Sequence, residues 1–252
     1  MKLPEIIIIG APKCGTTPLW YNLDKHPKIQ MATKSPTSVE FNFWKANSWH
    51  MGVDWYKSRF VKGKISGEKS TTYYYTKKSM KEIWKQIPNA KLILCVRNPI
   101  DRAFSNFQMN RNAGKVPNQF TYGLFKKRYA RQGLYMVHIE KNVLPFFDKS
   151  QLHICVQEHM KKDMKNEMKK VFDFLGVEDL GYDEKEIGGV LLKNRSRGED
   201  IKLNHKQKFY RVWSKHKETL TGPVRKECLK FFTPFNKRLY KFLGYEIEEW
   251  TR

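Results

Sequence analysis

Acidic residues are sparse in this chain: 25 Asp and Glu stand against 48 Lys and Arg over 252 residues, a formal charge of +23. Such a field favours anionic ligands or surfaces, whether nucleotide, nucleic acid, acidic polysaccharide or anionic lipid, although scattered lysines also serve solubility alone. Cysteine is scarcer still. Cys14, Cys95, Cys155 and Cys228 stand far apart without CxxC or Cys/His spacing, which argues against a zinc site and against a disulfide framework. Cys95 and Cys155 lie in the apolar runs LILCV and LHICV and read as buried thiols in a reducing compartment. Long apolar runs are missing too. Nothing approaches the ~20 residues of a membrane span, and the run at 6–9 is too short for a signal peptide and lacks its cleavage pattern.

What is present suits a globular α/β chain with one sizeable core: 40% hydrophobic and 14% aromatic residues. Short apolar runs at 5–9, 91–96 and 151–156, with a fourth near 64–68, lack polar alternation and so read as strands covered on both faces. Helical patterns lie between and after them, at 16–25, 77–86, 99–112, 133–147, 162–175, 204–220 and 223–231. Alternation of this kind predicts an α/β fold, a central parallel sheet flanked by helices, with right-handed crossovers and a single domain over 1–252. The loop at 180–200, with its glycine pair and NRSRG stretch, is a candidate ligand-covering segment.

The stretch GAPKCGTT, residues 10–17, joins the first strand to the first helix. Backbone N–H groups of Cys14, Gly15, Thr16 and Thr17, with the two threonine hydroxyls, would converge there on an anion at a helix N-terminus. Pro18 fits the first helical turn. The spacing nearly matches the nucleoside-triphosphate loop GxxxxGK[ST], but position 16 is threonine and the lysine stands at 13. A kinase or NTPase reading therefore lacks its phosphate lysine. It also lacks a Walker-B carboxylate, since the strand LILCV ends in Arg97. In RNPIDRAFSNF, residues 97–107, Asn98-Pro99 caps and starts a helix. Arg97 at the strand end and Ser105 in the second turn would face one anion at the open edge of the sheet. The plainer reading is a surface pair between Arg97 and Asp101.

These segments resemble the sulfotransferases that use 3′-phosphoadenosine 5′-phosphosulfate (PAPS) as donor. GAPKCGTT is similar to their 5′-phosphosulfate loop, whose lysine precedes the second glycine, and RNPIDRAFSNF to their 3′-phosphate motif. EFNFWKANSWHMGVDWYKSRF, residues 40–60, resembles a stretch of the heparan sulfate enzymes, the N-sulfating type above all, and sets Glu40 on the catalytic glutamate. A shift of two would set Ser38 there, but the register on Glu40 also aligns Asn42, Phe43 and Trp44. GEKSTTYYY, residues 67–75, makes Lys69 the second catalytic lysine beside Lys13. Ser196, Arg197 and Gly198 resemble the loop over the donor's adenine and 3′-phosphate, with Glu199 in place of a second basic residue and the flanking cysteines absent. GLYMVHIEKNVLPFF, residues 133–147, matches a helix of the family in which His138 reads as structural.

The resemblance implies a P-loop-NTPase-like sulfotransferase fold, PAPS as donor, PAP as product and no metal. It implies an acceptor hydroxyl or amine on a glycan, anionic or neutral, without distinguishing N- from O-sulfation. Trp44, Trp49 and Trp55 would suit a sugar cleft or equally a core. The chain is expected to be cytoplasmic if Met1 is native and Golgi-luminal if an anchor has been removed. A non-enzymatic polyanion or nucleic-acid binder is the rival from another class, and no helix-turn-helix, finger or RNA-sheet signature supports it.

Overall fold

The computed structural model describes residues 2–35, 38–45, 51–181 and 219–251. Five strands, β1 (Ile6–Gly10), β2 (Ile29–Met31), β3 (Ile65–Lys69), β4 (Lys91–Val96) and β5 (Leu152–Val156), form one sheet in the order β2-β3-β1-β4-β5. Every pairing is parallel. The central β1 is buried at all five positions, which is why its isoleucines need no alternation. β2 is a strand the apolar pattern does not reveal, because three residues carry too little periodicity.

Among the described residues the helices are α1 (Thr16–Asp24), α2 (Val53–Lys57), α3 (Lys77–Gln86), α4 (Pro99–Asn112), α5 (Tyr122–Leu124), α6 (Tyr135–His138), α7 (Gln157–Lys162), α8 (Met164–Leu175) and α9 (Gly222–Leu243). Three of them differ from the sequence pattern for physical reasons. The helix expected over 133–147 is broken, with a 3-10 turn at Arg131–Gly133, then α6, then a π-turn at Ile139–Val143. Gly133 packs so closely that a Cβ would lie 2.8 Å from Phe232 and 2.9 Å from Pro99. The helix expected over 162–175 is two, because Asp163 stops α7 and caps α8 by accepting from the Asn166 N–H at 2.9 Å. The helix expected to end at 231 runs on through Pro234 to Leu243, where Gly244 at φ 85 closes it. The expected helix at 204–220 lies almost wholly outside the described residues.

The main core packs the sheet against α1, α3, α8 and the C-terminal Trp250. A second cluster joins α4 (Ile100, Ala103, Phe107) to Phe125 and Tyr129 and to Phe232 of α9. Together these clusters fix the carboxyl ends of β1, β3 and β4 side by side, the edge at which parallel sheets bind ligands. Among the described residues no helix is long and apolar enough to cross a membrane.

Candidate functional site

The glycine loop leaves β1 and turns into α1 through two left-handed residues, Lys13 at φ 73 and Gly15 at φ 83. At Gly15 the turn also passes close to α7: a Cβ there would lie 3.2 Å from Met160 and 3.3 Å from Gln157. Gly15 is the N-cap of α1, no side chain caps it, and the first turn holds no acid. The N-terminal N–H groups and the dipole of α1 thus suit an anion. One member of the expected cradle has a second use: the Cys14 N–H donates to the Ala11 carbonyl at 3.3 Å. Its side chain is buried, and burial pushes the thiol up to about 11.

Cations crowd the β4 side of this loop. Asn98 caps α4 by accepting from the N–H groups of Ile100 and Asp101 at 3.0 and 3.4 Å. Arg97 directly follows β4; its backbone N–H donates to the Tyr135 hydroxyl at 3.3 Å and its guanidinium to the Lys13 carbonyl at 3.4 Å. Asp101 is paired with Arg225 at 2.7 Å rather than with Arg97. Burial first, and then the charges of Arg97 and Arg102, bring the Lys13 ammonium down to about 8. Lys161 on α7 belongs to the same group, lowered by burial and next by Arg97. Its helix, QEHMKK, carries no motif that would have marked it. Ser105 is half-buried in the second turn of α4.

On the β3 side the two charges that face the loop, Lys69 and Glu40, are paired with each other. Glu40 continues the sheet as a parallel bridge to Lys69. The Lys69 ammonium lies 3.3 Å from Glu40 Oε1 and donates to Thr17 Oγ1 at 3.0 Å, so one buried amine ties the carboxylate to the glycine loop. The Thr71 hydroxyl donates to the same carboxylate, 3.1 Å from each oxygen. Burial lowers the Lys69 pKa and the Glu40 charge opposes it. Ser38 takes no such position, since its hydroxyl donates to the Glu40 carbonyl.

Other expected members separate. Trp44 is core, 1% exposed, while Trp55 is half-buried beneath the Arg59 guanidinium. Trp49, Ser196, Arg197 and Gly198 lie outside the described residues. His138 is structural in its contacts, with Nε2 2.8 Å from the Arg131 carbonyl and Nδ1 3.3 Å from the Asn142 amide. Beside it lies a cavity of about 610 Å³ lined in part by Tyr75, Lys77, Arg131 and Lys141. Glu40 is close enough to Tyr75 for its charge to help raise the phenol, after burial as the main cause. Two side chains at the heart of the site escape sequence reasoning. Glu68 opens the Glu-Lys-Ser pattern of GEKSTTYYY and Thr71 follows it, but the pattern assigns neither a role. Among the described residues no three His, Cys, Asp or Glu side chains group as metal ligands.

The family model described as sulfotransferase domain matches residues 3–188. The mouse bifunctional heparan sulfate N-deacetylase/N-sulfotransferase 4 is 31% identical over 197 residues, 69% of this chain and 22% of that protein. Mouse heparan sulfate glucosamine 3-O-sulfotransferase 3B1 is 27% identical over 265 residues, 98% of this chain and 65% of that one. The chain thus spans about a fifth of the first relative and just under two thirds of the second. Among solved structures, a sulfotransferase from Alicyclobacillus acidocaldarius superposes over 100% of both chains with a TM-score of 0.74 at 20% identity. Mouse sulfotransferase SULT7A1 complexed with PAP gives 0.56 at 16% identity, over 94% of this chain and 84% of that one. The five-stranded parallel sheet, its flanking helices and the family match over most of the chain agree: this chain belongs to the sulfotransferase domain family.

Proposed function

We propose that the chain transfers the sulfuryl group of PAPS to a hydroxyl or amine of a glycan acceptor, releasing PAP. The carrying observation is the single ammonium of Lys69, bonded to Glu40 on one side and to Thr17 of the glycine loop on the other. It links a proton acceptor to an anion-binding turn, which is what attack on a phosphate-borne sulfuryl group requires. The donor set fits such a nucleotide: an uncapped helix N-terminus, and Lys13 beside Arg97, its ammonium brought down to about 8 by burial first and then by the Arg97 charge.

PAPS supplies the sulfuryl group and a leaving phosphate. The chain supplies the rest. Glu40 takes the proton of the acceptor hydroxyl or ammonium, and the Thr71 hydroxyl and Lys69 ammonium hold its carboxylate in one orientation. Lys13 and Lys69 set positive charge where negative charge gathers on the sulfuryl and leaving oxygens, the part Mg²⁺ plays in phosphoryl transfer. Gly15, Thr16 and Thr17 hold the 5′-phosphate, with Cys14 once its N–H is released from Ala11. Arg97 and Ser105, joined by Ser196, Arg197 and Gly198, hold the 3′-phosphate.

For the acceptor, the cavity next to Tyr75 supports an anionic glycan, since Lys77, Arg131 and Lys141 line it with apolar Leu134 and Val137 between them. The heparan sulfate relatives point the same way. Incubation with labelled PAPS and heparan sulfate oligosaccharides, with and without free amines, tests the reading. Transfer appears as a mass gain of about 80 Da on the acceptor. Absence of transfer to any acceptor, with stabilisation by Mg-ATP and none by PAP, would replace it with the NTPase reading.

A further inference from the structure

Glu68 and Lys69 are neighbours on β3 and so project to opposite faces of the sheet. Lys69 faces the glycine loop. Glu68 is fully buried, has no ion-pair partner among the described residues, and sits behind the segment that bears Glu40. Its Oε1 accepts from the Tyr56 hydroxyl at 2.8 Å and its Oε2 from the Ser70 hydroxyl at 2.7 Å. Those hydroxyls have a second task. Ser70 Oγ accepts the Asn42 N–H at 2.8 Å, and the Tyr56 oxygen accepts the Trp44 indole N–H at 3.3 Å. Tyr73, which also bonds Glu68, accepts the Trp44 backbone N–H at 3.1 Å.

A carboxylate only accepts, so it forces each hydroxyl to aim its proton inward and its lone pair outward. The outward lone pairs are the ones residues 42–44 need. That segment turns through Asn42 in the left-handed region at φ 50, and Glu40 lies two residues before the turn. We propose that Glu68 is a positioning residue for the transfer reaction, orienting the hydroxyls of Tyr56, Ser70 and Tyr73 so that residues 42–44 are pinned to β3 and Glu40 stays on Lys69 and Thr71.

Protonation supplies an internal switch on this arrangement. A protonated Glu68 becomes a donor at one oxygen and must reverse or lose one hydroxyl. Burial raises its pKa to about 7, opposed by the hydroxyl bonds of Ser70, Tyr56 and Tyr73 and reinforced by the Glu40 charge. Those are the groups that face it: Tyr56 from α2, Tyr73 from the turn after β3, Ser70 from the strand end, and Glu40 as the charge that acts on it. The pinned state therefore holds above about 7 and loosens as pH falls through it.

The inference rests on the proposed transfer reaction, so its test has one arm that needs no turnover. Hydrogen exchange in the full chain should quicken about tenfold in Glu68→Gln at the amides of Asn42 and Trp44, and hardly change in β1. In the assay with PAPS and heparan sulfate oligosaccharides at pH 8, Glu68→Gln should lower kcat about tenfold or more while PAP affinity stays within about twofold. Tyr56→Phe, which keeps the ring and removes one spoke, should lower kcat several-fold alone and add nothing on top of Glu68→Gln. The wild-type decline in kcat below about pH 7 should flatten in Glu68→Gln. Unchanged exchange at Asn42 and Trp44 overturns the proposal whether or not the wild type transfers sulfate. So does a loss shared equally by kcat and PAP affinity, or additivity of the two substitutions. A wild type without transfer but with the exchange change overturns the function reading and leaves the pinning intact.

Discussion

Two lysines of the site live in opposite electrostatic company. Lys69, 2% exposed, has its charge balanced inside the protein by Glu40 and is tied to Thr17 as well. Lys13 stands beside Arg97 and Arg102, and burial first and then their charges acidify its ammonium to about 8. The first lysine meets an opposite charge within the fold, whereas the second stands where a bound anion would favour its charged form. Under the proposed function the difference separates two emphases: the β3 side is prearranged for the proton and the reacting centre, and the glycine-loop side concentrates positive charge where a phosphate would bind.

Removing the balanced pair is the severest way to break this comparison. Glu40→Gln and Lys69→Ala should each lower turnover by roughly 10²–10⁴, the usual worth of a positioned acid–base group. PAP binding by calorimetry should stay within a few-fold, because neither residue is the principal neutraliser of phosphate. If Lys69→Ala weakens PAP as much as it slows turnover, the two sides are one electrostatic unit and the division of tasks fails.

Lys13→Ala and Arg97→Ala come next and act on binding, and Lys13→Ala slows turnover as well, because its ammonium also serves the sulfuryl and leaving oxygens. A charge-assisted hydrogen bond contributes about 1.5–3 kcal/mol, so PAP affinity should fall roughly 10- to 100-fold in each. The same concentration of charge predicts a pH dependence whose sign follows from the direction of the shift. The free Lys13 ammonium loses its proton near 8, and bound phosphate raises that value by favouring the charged form. Binding therefore takes up a proton above about pH 8, and affinity should weaken by up to about tenfold per pH unit there. In Lys13→Ala that slope should vanish. A slope that persists assigns the titration to another group, Lys161 being the first candidate.

How far the sequence alone reaches depends on the range of the interaction. The glycine loop, the Asn98-Pro99 cap and the buried run of β1 are local, and each forms within a residue or two of where its pattern puts it. The meeting of Glu40, Lys69 and Thr17 spans 29 and 52 residues of chain and depends on β3 lying beside β1. No spacing rule encodes that, and only the resemblance to a family brought the three together in advance. Glu68 was invisible for a related reason. Its role lies in hydroxyls from α2 and from the strand end, while the sequence shows only the glutamate of the GEKSTTYYY match and nothing of what it bonds. The break at Gly133 and the passage of α9 through Pro234 are decided by packing that overrides propensity, here the approach of Phe232 and Pro99 to Gly133.

The smallest expected effect sharpens the β3 side at its outer edge. Lys77 and Lys141 line the cavity near Tyr75, and Lys77 is exposed. An exposed ion pair contributes about 0.2–1 kcal/mol, so Lys77→Ala should raise KM for a sulfated or carboxylated oligosaccharide by no more than about fivefold. Turnover at saturation and PAP affinity should not move, since Lys77 contributes neither to the proton transfer nor to the phosphate cradle. Added salt should erase the difference between variant and wild type, because screening at about 0.15 M already reaches the scale of 8 Å. For an uncharged acceptor the substitution should change nothing. An equal KM increase for charged and uncharged acceptors would mean that Lys77 acts by packing, and the cations of the cavity would then carry no selectivity for anionic glycans.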